Sequence, residues 1–210
     1  MQRRIPERIF GHIPGYPEGS CFATRAAVAE AGLHRPPVAG IAGSGQYGAT
    51  SVVIAGGYED TQDFGDVILY TGHGGRDLET GQQRVDQTLT RGNLALAYNK
   101  LHGLPVRLIR GARHPSPYAP EAGYRYDGLY MVEAYWREVG KSGFYIWRFR
   151  LRKIPDPAEP GALTAGAEAL TALCPVRDTE NIQQVKALHH YHDQPCSEDD
   201  ELLMNISADK

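Results

Sequence analysis

At 210 residues and 41% apolar composition, the chain is long enough for one domain of ordinary size and an appendage. No apolar run approaches the ~20 residues that a membrane-crossing helix requires, and the opening MQRRIPERIF lacks the apolar stretch of a signal peptide, so a cytoplasmic protein without membrane contact is expected. The net charge of −3 divides unevenly: residues 1–154 hold 19 Lys and Arg against 14 Asp and Glu, whereas residues 155–210 hold 3 against 11. The first part has the sign of a phosphate binder and the tail the opposite sign, although an acidic tail also serves simply as a solubiliser. Three cysteines far apart, Cys21, Cys174 and Cys196, argue against a disulfide framework.

Residues 1–20 are rich in Pro and Gly and read as an extended lead-in. Cys21 to Ala31 reads as a strand followed by a short helix, and Leu33 to Gly43 as a Pro- and Gly-rich loop with Val38 at its tip. Two apolar, β-rich runs follow, Ser51 to Ala55 and Val67 to Tyr70, the first leading to Tyr58 and the second ending on Tyr70. Between and beside these tyrosines lie an acidic loop and six glycines (56, 57, 65, 72, 74 and 75). Glycine leaves backbone bare where a flat object approaches, so two rings across such a floor suit a planar ligand. A flipped nucleobase is the planar ligand that best fits the basic first part.

Gln82, Gln83 and Arg84 lie on a Gly-bounded loop; these residue types suit base edges, and equally a solvated loop. The spacing of Leu94, Leu96, Ala97 and Leu101 predicts a helix over Thr90 to Leu101, with Asn93 as a candidate cap. Leu104 to Arg110, Leu129 to Trp136 and Phe144 to Leu151 read as strands, with a loop over Gly111 to Gly123 and a turn over Val139 to Gly143. In the last strand Arg148, Arg150 and Arg152 fall on one face and Trp147, Phe149 and Leu151 on the other. Such a row of arginines can track a phosphate backbone or simply face water. His73 sits among glycines but without the Lys of a P-loop.

Six blocks carry a resemblance to a known family: GHIPGYPEG (Gly11 to Gly19), GLHRPPVAGI (Gly32 to Ile41), AGGYED (Ala55 to Asp60), YTGHGGRD (Tyr70 to Asp77), YAPEAGYRYDGLY (Tyr118 to Tyr130) and KSGFYIWRFRLR (Lys141 to Arg152). Together they resemble the SRA (SET and RING associated, or YDG) domain of bacterial type, a reader of methylated cytosine in DNA, with Tyr126, Asp127 and Gly128 as the name-giving motif. The resemblance implies an α+β fold over residues 1–154: a twisted, curved, β-barrel-like sheet of PUA-like kind, flanked by a few helices. It implies double-stranded DNA with a modified cytosine as partner, a base flipped between Tyr58 and Tyr70, and no cofactor, metal or catalysis. Backbone at Ala55 and Gly56 would meet the cytosine O2 and backbone at Thr71 its amine, with the 5-methyl group near Gly40 and Thr71. Val38 would fill the gap left in the duplex, Gln82, Gln83 and Arg84 would read the groove, and Arg35, Arg76, Arg148 and Arg150 would meet phosphates. One departure is visible: the family carries an Asp three residues after the first stacking Tyr, and Thr61 stands there. A neutral hydroxyl holds the base edge less firmly than a carboxylate, so 5-hydroxymethylcytosine becomes an alternative ligand, and Asp60 or Asp63 would substitute by a small loop shift.

Residues 155–210 read as a linker, PDPAEPG, and a short helical acidic tail with helices near Leu163 to Leu173 and Thr179 to His190. The segment RDTENIQQVKALHHYHDQPC resembles the approach to an HNH nuclease, but too few residues follow for a metal-binding unit, so a remnant without cleavage is expected, or a nuclease supplied in trans. Cys174, His189, His192 and Cys196 include zinc-binding residue types, but not at the spacing of a finger, and surface histidines are the simpler reading.

Overall fold

A long hairpin organises the chain. Alternation of apolar and polar residues gives β7 (Tyr124–Val139) and β8 (Tyr145–Lys153), paired antiparallel around the turn at residues 140–144. The computed structural model describes residues 8–77 and 80–155; the expected tail helices, the nuclease-like segment and the Cys174, His189, His192 and Cys196 group lie outside them. Six further strands complete one mixed sheet: β1 (Cys21–Phe22), β2 (Ile41–Ser44), β3 (Gly48–Ile54), β4 (Gln62–Asp63), β5 (Val67–Thr71) and β6 (Val106–Gly111). The order is β2-β3-β6-β7-β8-β5-β4, with β1 on β7, and among the described residues only β3 and β6 run parallel. Two helices, α1 (Arg25–Glu30) and α2 (Arg91–His102), flank it. The expected α+β class holds. The short strands β2 and β4 carried too little periodicity to be read in advance, and β7 runs well past both predicted ends, through a bulge between Val132 and Ala134.

Both helices start at a threonine. The Thr24 hydroxyl accepts from the Ala27 N–H at 3.2 Å. Thr90, not Asn93, is the N-cap of α2, because the Asn93 amide is occupied elsewhere: it donates to the carbonyls of His73 (3.0 Å) and Thr88 (2.8 Å) and accepts from the His73 N–H (2.8 Å). Asn99, fully buried on the same helix, accepts from the Ala49 N–H at 2.6 Å and donates to the Ala49 carbonyl at 2.8 Å, standing in for a strand neighbour.

The name-giving motif turns out to be framework. Tyr126 is wholly buried among Val28, Leu33, Val53 and Ile109, and its hydroxyl meets His12 Nδ1 at 2.8 Å. Asp127 pairs with Arg110 at 2.9 Å and also with Arg125. Gly128 has φ of +90°, and the Glu18 carboxylate occupies the place its side chain would take.

Arg110 is the hub. From β6 its Nε and Nη2 donate to the two oxygens of Asp63 on β4, each at 2.9 Å, and Nη2 also reaches the Gly65 carbonyl at 2.6 Å. β6 and β4 are separated in the sheet by β7, β8 and β5. This bidentate bond therefore joins strands that touch only if the sheet curls.

The loop at residues 35–40 is tied down as tightly. The Ala39 carbonyl accepts from Arg25 Nη2 at 2.6 Å and from His34 Nε2 at 2.9 Å. A carbonyl cannot donate, so His34 carries its proton on Nε2 and its Nδ1 accepts from the Ser51 hydroxyl, 2.9 Å away. Burial, with the charge of Arg25, brings the His34 pKa down to about 3.

Two outcomes follow from these contacts. Asp63→Ala leaves the buried Arg110 short of a partner and should cost about 3 kcal/mol or more in denaturant unfolding; a loss under about 1 kcal/mol would contradict the hub. His34 binds its proton far less readily folded than unfolded, so its contribution to stability is complete above about pH 6.5 and is lost as pH falls towards 3, at up to about 1.4 kcal/mol per pH unit. His34→Gln should remove that part of the slope between pH 6 and 4.

Candidate functional site

The curl of the sheet brings the end of β3 opposite β5 and leaves between them a cavity of about 720 Å³, within the size range of small-ligand sites. Tyr58, four residues beyond β3, and Tyr70, on β5, both line it. Tyr58 is held from two sides: its hydroxyl accepts from the Gly74 N–H at 2.9 Å, and the Arg76 guanidinium lies 5.2 Å from its ring centroid. Arg76 is itself fixed by a 2.6 Å bond from Nη1 to the Gly57 carbonyl. Tyr70 is almost wholly buried, with Phe149 of β8 as its strand partner, and burial pushes its phenol pKa up.

The floor is backbone. Gly56 has φ of +75°, and a Cβ there would lie 2.5 Å from the Arg113 carbonyl. A Cβ on Gly40 would come 2.9 Å from the Tyr70 hydroxyl. Glycine at 40 therefore lets Tyr70 keep its place, and glycine at 56 lets the backbone at Arg113 approach. Thr61 faces the same cavity, its Oγ1 accepting from the Thr71 N–H at 3.2 Å and its own N–H donating to the Tyr58 carbonyl at 3.3 Å. Val38 stands at the mouth with 86% of its surface exposed. So large an exposure leaves a branched apolar residue without packing in this state, unlike a core valine.

Of the residues singled out from sequence, Tyr58, Tyr70, Thr61, Ala55, Gly56, Gly40, Val38 and Arg76 line this cavity together. Thr71, Asp60 and Asp63 do not. The Thr71 hydroxyl accepts from Arg148 at 3.0 Å, and Asp60 accepts from the Lys141 N–H at 3.0 Å, on the β7–β8 turn. Asp63 is held by Arg110, so neither carboxylate is available to replace one at Thr61. Gln82 and Arg84 are exposed, but Gln83 is only 4% exposed and its amide donates to the carbonyls of Gly74 (2.8 Å) and Val85 (2.7 Å). It therefore braces its own loop and does not project from it.

The arginine row on β8 is likewise spoken for. Arg148 is buried against the Asp60 carbonyl and lies 3.1 Å from the Glu138 carboxylate. Arg150 and Arg152 both pair with Glu133, Arg150 at 2.9 Å. Period-2 spacing placed them on one face, but carboxylates on the neighbouring strand meet them there. Among the lining residues that sequence did not single out are four with polar or charged side chains, Arg25, Arg113, His114 and Tyr124. Arg25 sits in a short helix, Arg113 and His114 in a loop and Tyr124 at the first position of β7, and none of these local patterns carries a sign of what the residue faces. No group of three or more potential metal ligands occurs among the described residues.

The chain is similar to several known proteins. The chain is 48% identical over 182 residues to the E3 ubiquitin-protein ligase UHRF1 of Bos taurus, covering 76% of this chain and 23% of that protein, so it spans about a quarter of that curated relative's length. A solved modification-dependent TagI restriction endonuclease is 50% identical with a TM-score of 0.69, over 71% of this chain and 54% of that one. The SRA domain of SUVH5 has been solved with fully methylated CG DNA (TM-score 0.59, 41% identity, 70% of this chain and 95% of that one). It has also been solved with fully hydroxymethylated CG DNA (TM-score 0.61, 40% identity, the same two coverages). The SAD/SRA domain model matches residues 9–157, which include every strand and both helices described above, and the chain therefore belongs to the SAD/SRA domain family.

Proposed function

We propose that residues 1–154 read double-stranded DNA carrying 5-methylcytosine by drawing the modified base out of the duplex and stacking it between Tyr58 and Tyr70, with no catalysis of their own. The observation that supports this most is the convergence of two tyrosines from separate parts of the sheet on one glycine-floored cavity. Stacking on aromatic rings is worth about 1–3 kcal/mol per base, the same order as the cost of unstacking it, so the exchange is close to balanced before the modification is read. Val38, exposed at the cavity mouth, enters the duplex and covers the vacated space. Arg76 and Arg113 at the rim add attraction to the backbone. Such a reader works where the DNA is, in the cytoplasm at the nucleoid, and residues 155–210 act as linker and acidic tail.

Thr61 brings no charge to the base edge, which favours tolerance: 5-hydroxymethylcytosine is the alternative ligand, in keeping with the two modifications bound by the SUVH5 domain. A second reading, favoured by the 50% identity to the TagI endonuclease, makes this domain the targeting part of a modification-dependent nuclease whose catalytic part is supplied elsewhere.

Fluorescence anisotropy on matched duplexes bearing C, 5-methylcytosine or 5-hydroxymethylcytosine tests the reading. Both modified duplexes should bind more tightly than the plain one, and Tyr58→Ala or Tyr70→Ala should abolish the preference while leaving weak, salt-sensitive binding. Gly40→Ala should reduce the preference by displacing the Tyr70 hydroxyl, with little loss of melting temperature. If both tyrosine variants discriminate as the parent does, the pocket lies elsewhere. Incubation with methylated plasmid and Mg²⁺ or Mn²⁺ should leave the plasmid intact; cleavage would move the assignment to an enzyme.

A further inference from the structure

A second cleft lies on the other flank of the loop that carries Val38. Pro37 and Val38 face the tyrosine cavity, whereas Arg35 and Pro36 face a space of about 430 Å³ walled by β2 and β3. Three guanidinium groups line it, Arg8, Arg35 and Arg107, and among the described residues no carboxylate does.

Arg107 forms its floor and is 3% exposed. Its Nε donates to the Leu33 carbonyl at 3.1 Å, and its Nη1 to the carbonyls of Ile9 (2.8 Å) and Gly11 (2.6 Å). Those bonds fix the plane of the group but neutralise none of its charge, and among the described residues neither Nη2 nor the charge as a whole has an acidic partner. Burial lowers its pKa to about 10, so it remains a cation at neutral pH. Arg8 stacks over the exposed ring of Tyr47 with its guanidinium 4.0 Å from the centroid, and Arg35 is exposed at the rim. The Ser44 hydroxyl, in the same wall, is buried without a hydrogen-bond partner.

A buried cation without a counter-ion is costly, and the natural partner for a preset fork of guanidinium donors is a phosphate or carboxylate. We infer that this cleft is a phosphate site for the DNA backbone: Arg8, Arg35 and Arg107 receive a phosphodiester on the side of the Val38 loop away from the extruded base. The two clefts then straddle the loop. One takes the base and the other holds the strand against which Val38 is pushed. This rests on the DNA-reading function proposed above, and its test separates the two.

The experiment uses the full chain and duplexes with a central 5-methylcytosine. Arg8→Ala and Arg35→Ala should each weaken binding to modified and plain duplexes by the same factor, and should each reduce the slope of log K against log salt by about one phosphate, or ~0.9. Duplexes in which single phosphates near the modified base are replaced by neutral methylphosphonates identify the contact. One position should cost the parent about tenfold and cost Arg35→Ala almost nothing further, because the charge it answered is gone. Unchanged salt slopes in both variants, or a scan in which no phosphate is coupled to Arg35, would overturn the site. Tight binding of inorganic phosphate by calorimetry, with no coupled position in the scan, would likewise overturn it by making the cleft a free-anion site. Failure of the base-reading function would show differently, as equal affinity of the parent protein for plain and modified duplexes.

Discussion

The contact on which the rest depends is the bidentate bond between Arg110 and Asp63. It closes a distance across the sheet that strand pairing alone leaves open, because β7, β8 and β5 intervene between the two residues. Tyr58 and Tyr70 approach the cavity from the β3 side and the β5 side, so their opposition is a consequence of the curl. Asp63 is carried five residues beyond Tyr58 on the same stretch, which makes the bond a direct anchor for one wall of the pocket. Burial by itself would raise the Asp63 pKa; the hydrogen bonds and charge of Arg110, with the Gly65 N–H and Ser116 hydroxyl, outweigh it and hold the carboxylate ionised.

On that frame the pocket is built in advance. Hydrogen bonds from Gly74 and Arg76 fix the Tyr58 wall, and glycine at positions 40 and 56 leaves room that any side chain would take away. Arg25 and His34 converge on one carbonyl to set the Val38 loop. A preformed site loses little conformational freedom when it is filled, so under the proposed function more of the stacking energy would remain to offset the cost of opening the duplex. The site is also short of side-chain acceptors: among the described residues no Asp, Glu, Asn or Gln lines it, and Thr61 already spends one acceptor position on the Thr71 N–H. Under the proposed function, recognition of the base edge would fall to backbone groups, the Thr61 hydroxyl and the His114 ring rather than to a carboxylate.

Much of this was legible in the sequence. The strand, loop and glycine pattern around Tyr58 and Tyr70 placed both rings in one slot, and the ordered blocks from Gly11 to Arg152 pointed to the family, whose model covers residues 9–157. What the chain's pattern does not carry is the identity of each charged group's partner. Arg148, Arg150 and Arg152 have the spacing of a phosphate-tracking face, yet Glu133 and Glu138 on β7 claim them through a register that only the folded sheet defines. Asp60 and Asp63 lie near Tyr58 in sequence but turn towards Lys141 and Arg110, residues far away along the chain. Gln83 looked like a projecting reader because loop polarity says nothing about direction; its amide is spent within its own loop. Arg25 and His114 reach the cavity through long-range packing that no local period announces.

Under the proposed function a single modified pyrimidine leaves the helix and occupies the space between two rings. A crystal structure of the protein bound to a duplex with one 5-methylcytosine measures this directly. That base should be rotated out of the stack and lie between Tyr58 and Tyr70, with Val38 in the gap. A regular duplex with every base still paired inside, and the cavity holding none of them, would contradict it.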